Sequence, residues 1–163
     1  MLKSGHKQEY SLALVKDQVN DWIINGPNNH LVEQADNFGK YIADLLRKTQ
    51  EKKRSGDDKI DIRSDEIVTT SQIRQIFGKL KSIEAKGFTS PEQRTEFLML
   101  KPLISYAAGR HKKTGLERLK ERVCWGIDAV LEGDSEDEQP QRFKNFCRLF
   151  EAILAYHKAH GGS

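Results

Sequence analysis

His157 and His160, three residues apart near the end of the chain, are among the few side chains whose type and spacing could do chemistry. That spacing can share a metal ion, but no acidic or second imidazole pair accompanies it, so no metal site is expected. His111 stands beside Lys112 and Lys113 and reads as part of a basic surface cluster. Cys124 and Cys147 lack the paired spacing of a zinc site and the density of a secreted disulfide scaffold, and both read as buried thiols in apolar stripes. There is no glycine-rich phosphate loop, Gly-x-Ser-x-Gly elbow or Cys-x-x-Cys pair. The expectation is a protein that is not an enzyme and holds no cofactor.

The chemistry that remains is the binding of anions. The formal charge is only +3, but the acidic run Glu132 to Glu138 concentrates negative charge in one loop and leaves the rest of the chain more basic. Residues seven apart project from nearly the same flank of a helix. On that rule Arg74 and Lys81 share one flank of a helix, and Gln72, Lys79 and Lys86 share another. Arg94 and Lys101 align on the next helix. Arg110, Lys112 and Lys113 follow Gly109, in a loop where donors can converge on phosphates. Stacking aromatics are scarce outside the apolar stripes. A nucleic acid would thus be held by its backbone, with little sequence readout and a strong loss of affinity as salt rises.

The elements that must position these residues are helical. The 163 residues suit one domain, and 37% hydrophobic and 31% charged residues describe a charged surface over a modest core. No run approaches the roughly 20 apolar residues of a membrane span, and the first residues are too charged for a secretory signal, so a cytoplasmic protein without membrane contact is expected. Tyr10 to Ile23 predicts a first helix ending at Asn25-Gly26-Pro27. Leu31, Ala35, Phe38, Ile42, Leu45 and Leu46 predict a second, to about Thr49, followed by an exposed, mobile connection over Gln50 to Arg63. Thr69 to Gln72 forms a capping box for a third helix, through Ile73, Ile76, Phe77, Leu80 and Ile83 to Lys86, with Gly87 as its stop. Ser90-Pro91-Glu92-Gln93 opens a fourth, which Pro102 should kink or divide and Gly109 should close. Leu116, Leu119, Val123, Ile127 and Val130 predict a fifth over Gly115 to Leu131, with Arg118, Lys120 and Arg122 on its wet side. The last, Pro140 to Gly162, carries Phe143, Phe146, Cys147, Phe150, Ile153, Leu154 and His157 on one face and needs the other helices as its walls. The fold class is all-α, a single-domain bundle of about five to six helices. The helical extension covers residues 1–26, and the bundle covers 27–163 with a mobile linker near 50–66.

Three stretches together resemble a known family: Val68-Thr69-Thr70-Ser71-Gln72-Ile73-Arg74, Leu103-Ile104-Ser105-Tyr106-Ala107-Ala108-Gly109-Arg110, and Phe146 to Lys158, which ends Ala-Tyr-His-Lys. Their order and spacing are similar to those of the small subunit of the Csm complex, the type III-A CRISPR interference effector. The resemblance covers about Ile67 to Gly162, and residues 1–26 have no counterpart in it. It implies a non-catalytic all-α subunit, present in several copies that form an inner filament beside the subunits carrying the crRNA. Its partners would be crRNA and target RNA, other Csm subunits and further copies of itself. Arg74 and Arg110 fall within the matched motifs and are the RNA-binding residues the resemblance implies. Lys79, Lys81, Lys101 and Lys112 join them from helical placement alone. The polar end of the last helix, Tyr156 to Lys158, is a candidate contact to a neighbouring subunit or RNA. Two other readings stand beside this one: a helix-turn-helix DNA-binding regulator using Thr70 to Lys86, and a helical scaffold that touches only proteins.

Overall fold

A computed structural model describes residues 13–54, 70–111, 114–133 and 137–162. Its helices are α1 (Lys16–Asn25), α2 (Asn29–Arg54), α3 (Thr70–Lys86), α4 (Pro91–Leu98), α5 (Leu100–His111), α6 (Thr114–Leu131) and α7 (Glu138–Ala159). Among the described residues there is no strand, and no helix is long and apolar enough to cross a membrane. The all-α bundle stands as expected, and the described residues form seven helices because the fourth predicted helix is divided.

That division lies at Met99, three residues before Pro102. A proline ring collides with the carbonyl four residues earlier, here Leu98, the last residue of α4. Pro102 then sits in the first turn of α5, where its missing N–H would have had no helical partner. Arg94 and Lys101 consequently lie on two separate helices, and their spacing of seven no longer sets a common flank. The start signal at Ser90 works as read. Its backbone N–H donates to Gln93 Oε1 at 3.0 Å and its hydroxyl accepts from the Gln93 N–H at 3.5 Å. Gly87 has a φ of 90°, which ends α3. The capping box at Thr69 lies outside the described residues.

Other boundaries differ from expectation. Among the described residues α1 starts at Lys16, after Leu14 at a φ of 51°, which is not helical. The part of the first predicted helix over 10–12 lies outside the described residues. Asn28 caps α2, its side-chain oxygen accepting from the Leu31 N–H at 2.9 Å. α2 then runs through Arg54, so the first part of the stretch read as a connection is helical, built from Gln, Glu, Lys and Arg, all good helix formers. The remainder of that connection, 55–69, lies outside the described residues. Gly109 does not close its helix: α5 continues to His111.

α7 is the post of the bundle, with α1, α2, α3 and α6 packed against it. Its Phe143, Phe146, Leu149, Phe150 and Ile153 are buried in one core shared by all seven helices. The rings interlock. Phe88 stacks on Phe143 at 4.4 Å between centroids, and Phe97 meets Phe143 and Phe146 edge-on at 5.2 and 4.9 Å. Both geometries suit the aromatic quadrupole. α1 belongs to the same core: Val19, Trp22 and Ile23 are buried, and the Trp22 indole donates to the Asn145 carbonyl at 2.9 Å. Asn145 answers from its side chain, donating to the Ile23 carbonyl at 3.0 Å.

One charged residue assigned to the wet side of the fifth predicted helix is buried. Arg122 on α6 is 2% exposed, lies over the Phe38 ring at 4.5 Å and donates to the Ala13 carbonyl at 2.9 Å and the Arg118 carbonyl at 3.1 Å. Burial lowers its pKa to about 10, so it stays charged at neutral pH and fastens the chain entering α1 onto α2 and α6.

Candidate nucleic-acid interface

α3 turns Ile73, Ile76, Leu80 and Ile83 into the core, and the same periodicity leaves Arg74, Gln75, Gly78, Lys79, Ser82 and Lys86 in solvent. Arg74 and Lys79 are exposed and pair with no carboxylate among the described residues. Between them Gly78 opens the helix surface, since a Cβ there would meet nothing within 4 Å. Lys79 also borders a groove of about 320 Å³ between α3 and the α4–α5 junction, floored by Ile83 and Leu100.

The other predicted cations are engaged or displaced. Lys81 leans onto α7, its ammonium 2.5 Å from Glu151 Oε1 and 3.2 Å from Glu84 Oε1. These bonds, Glu151 first, raise its pKa. Glu84 is held below the usual carboxylate range by a hydrogen bond with the Cys147 thiol and by Lys81. Burial and then Glu84 push that thiol far up, so Cys147 is no nucleophile, while Cys124 is only half-buried. Lys101 turns toward α6 and pairs with Asp128. Arg110 is exposed on α5, on the helix and not in a loop beyond it, because the helix outlasts Gly109. Lys112 lies outside the described residues. The ion pairs of Lys81 and Lys101 are partly exposed, and such pairs contribute only about 0–1 kcal/mol. Exchanging a carboxylate for a phosphate there costs little.

A second basic row, absent from the sequence-based expectations, lies on the last helix. Lys144, Arg148 and Lys158 are exposed on the outer side of α7, with Glu151 between them. The steps of four, three and seven that run from Lys144 through Arg148 and Glu151 to Lys158 are present in the sequence, but the aromatic stripe dominates the pattern of this stretch and hides the basic one behind it. Lys81 bonded to Glu151 sets this row beside the α3 flank that carries Arg74 and Lys81, while Lys79 lies on the other flank, toward the groove.

The end of α7 is structural. His160 N–H through Gly162 N–H fold back in a Schellman motif: Gly161, at φ 93°, donates to the Lys158 carbonyl at 3.1 Å and Gly162 to the His157 carbonyl at 2.8 Å. The returning Gly162 covers the His157 ring. His157 is therefore 0% exposed and is no polar tip, Tyr156 is half-buried against α2, and only Lys158 faces water. Asp36 on α2 meets His160 Nε2 at 2.5 Å. Among the described residues no three metal-ligating side chains converge.

Neither His157 ring nitrogen has a partner among the described residues, and burial lowers its pKa below the usual 6.5. The unfolded chain therefore binds a proton near pH 6.5 that the folded chain refuses until lower pH. Stability from this residue is complete above about pH 6.5 and is lost as pH falls through the lower folded value, with a slope of at most about 1.4 kcal/mol per pH unit. Urea unfolding midpoints at pH 7.5 and 5.5 should show the decline, and His157→Leu should flatten it. An unaltered pH slope in the variant would remove His157 as the source.

Comparison with known proteins adds the family. Residues 58–163 match the model of the Csm2 type III-A family. A Streptococcus thermophilus protein described as CRISPR system Cms protein Csm2 is 29% identical over 104 residues, which cover 63% of this chain and 80% of that protein. No solved structure matches. The matched span contains α3 to α7, the aromatic core and both basic rows. By this match the chain belongs to the Csm2 type III-A family, the small subunits of the CRISPR Csm complex.

Proposed function

We propose that this subunit is a non-catalytic clamp on RNA within the Csm complex, its basic rows neutralising the backbone of the crRNA and target RNA. The observation that carries the reading is the set of exposed cations on neighbouring helices, Arg74 and Lys79 on the solvent side of α3 and the row of Lys144, Arg148 and Lys158 on α7, without carboxylate partners among the described residues. Lysines and arginines of this kind contact phosphates and carry little sequence information, which guide pairing supplies. Arg110, with Lys81, Lys101 and Lys112, extends the candidate surface. Copies of the subunit associate as an inner filament beside the other Csm subunits, so that successive basic rows follow the RNA.

The test is filter binding of matched target RNA to assembled complexes at several salt concentrations. Arg74→Ala, Arg110→Ala and Arg148→Ala should each weaken binding about five- to tenfold, the equivalent of one charge-assisted hydrogen bond of ~1 kcal/mol or a little more. Each should also reduce the salt slope, by about 0.7 to 1 for every phosphate no longer neutralised. Unchanged affinity and slope in all three would refute the clamp.

A further inference from the structure

We infer that Tyr106, Gly109 and Arg110 on α5 form a platform for one unpaired RNA nucleotide, its base stacked on Tyr106 and its phosphate held by Arg110. The inference rests on the RNA-clamp reading and goes beyond it, because a stacking site recognises a base without a pairing partner, where the basic rows recognise only charge.

Tyr106 is 68% exposed, against 58% for Met99, 49% for Ile24 and 44% for Leu98, the other exposed large hydrophobics. Every other described aromatic side chain is buried or half-buried. Tyr106 has no hydrogen bond or ring contact among the described residues, so the interior of this subunit does not account for its position. α5 anchors it rigidly from behind, with Leu100, Ile104 and Ala108 buried on the opposite side. Arg110 lies four residues on and Gly109 three, the two spacings that place side chains beside one another on a helix. Arg110 is exposed and pairs with no carboxylate among the described residues. Gly109 adds no side chain on the other side of the ring, where a Cβ would meet nothing within 4 Å. The helix thus presents a flat ring with open space beside it and a cation one turn on. A nucleotide has the matching parts: a π-face, a sugar and a phosphate. Tyrosine and arginine are also common in protein interfaces, but those interfaces have an apolar core around the ring. One turn toward the N-terminus the ring has the apolar Pro102 and Leu103 beside it, and one turn toward the C-terminus it has a glycine backbone and a guanidinium unpaired among the described residues. That cation beside the ring is what favours RNA.

The experiment compares assembled, guide-loaded complexes carrying Tyr106→Ala, Tyr106→Phe or Arg110→Ala for binding of target RNA across salt concentrations. Loss of one stacked base should weaken binding about tenfold in Tyr106→Ala. The salt slope should stay at the parent value, because a stacking contact releases no counterion. Tyr106→Phe keeps the ring and should bind within about twofold of the parent. Arg110→Ala should lose both affinity and slope. A target carrying 4-thiouridine should photo-crosslink to the peptide containing Tyr106 in the parent complex. Unchanged affinity in Tyr106→Ala, while Arg74→Ala and Arg148→Ala bind more weakly, would overturn the platform and leave the clamp standing. Unchanged affinity in all of them would remove the clamp as well. Failure of Tyr106→Ala to enter the complex, with its fold intact by circular dichroism, would assign the ring to a protein partner and overturn the platform.

Discussion

Trp22→Ala should lower the unfolding free energy by about 3–5 kcal/mol, the range for emptying a buried aromatic site. Trp22 is 2% exposed, and α1 lies against both α6 and α7. The substitution removes the apolar packing of the indole and leaves a cavity the neighbouring helices cannot fully close. It also leaves the Asn145 carbonyl without the indole N–H, 2.9 Å away. A chain of this size loses roughly 2–4 °C of melting temperature per kcal/mol, so the midpoint should fall by about 10 °C. Ile24→Ala, on the same helix but 49% exposed, should stay within about 0.5 kcal/mol of the parent. Urea titrations followed by circular dichroism separate the two. Residues 1–26 read in sequence as an extension, and equal midpoints for the two variants would support a detachable α1. The buried Trp22 and the bonds exchanged between Asn145 and α1 predict instead that α1 unfolds with the bundle.

The contrast shows what is legible in the sequence and what is not. Helix positions and their inward faces are legible because apolar residues at steps of three and four leave few alternatives: Leu116, Leu119, Val123, Ile127 and Val130 are all buried. Ser90 and Pro102 mark their boundaries through local chemistry, a cap and a missing amide. The charge of Arg122 argues for solvent, yet its burial depends on Phe38 and on the Ala13 carbonyl, partners far away in sequence. The candidate site divides in the same way. The exposure of Arg74 and Lys79 follows from helical spacing, but the pairing of Lys81 with Glu151 and of Lys101 with Asp128 is tertiary, and no periodicity announces it. The terminal Ala-Tyr-His-Lys is the most recognisable stretch of α7. It owes its form to packing, with a buried imidazole under a Schellman turn and Tyr156 against α2.

That packing makes Gly39 the second site of large effect. A Cβ at Gly39 would lie 2.6 Å from Tyr156 Cβ, 2.9 Å from the His157 backbone nitrogen and 3.0 Å from the Tyr156 carbonyl carbon. These atoms belong to the α7 backbone and the root of a side chain, so no rotamer change relieves the clash and the helices must separate. Gly39→Val should destabilise the protein by about 3 kcal/mol, the upper part of the range for overpacking. Gly78→Ala should do the reverse. Gly78 is in mid-helix with open space around it, and alanine there should stabilise the isolated subunit by about 1 kcal/mol through helix propensity. Opposite shifts in the urea midpoint would distinguish a glycine required by helix packing from one that the isolated subunit does not need. The second kind of glycine lies between Arg74 and Lys79, where an RNA backbone following the basic row would come closest to the helix. A Gly39→Val midpoint at or above that of the parent would mean that Gly39 does not set the spacing of α2 and α7.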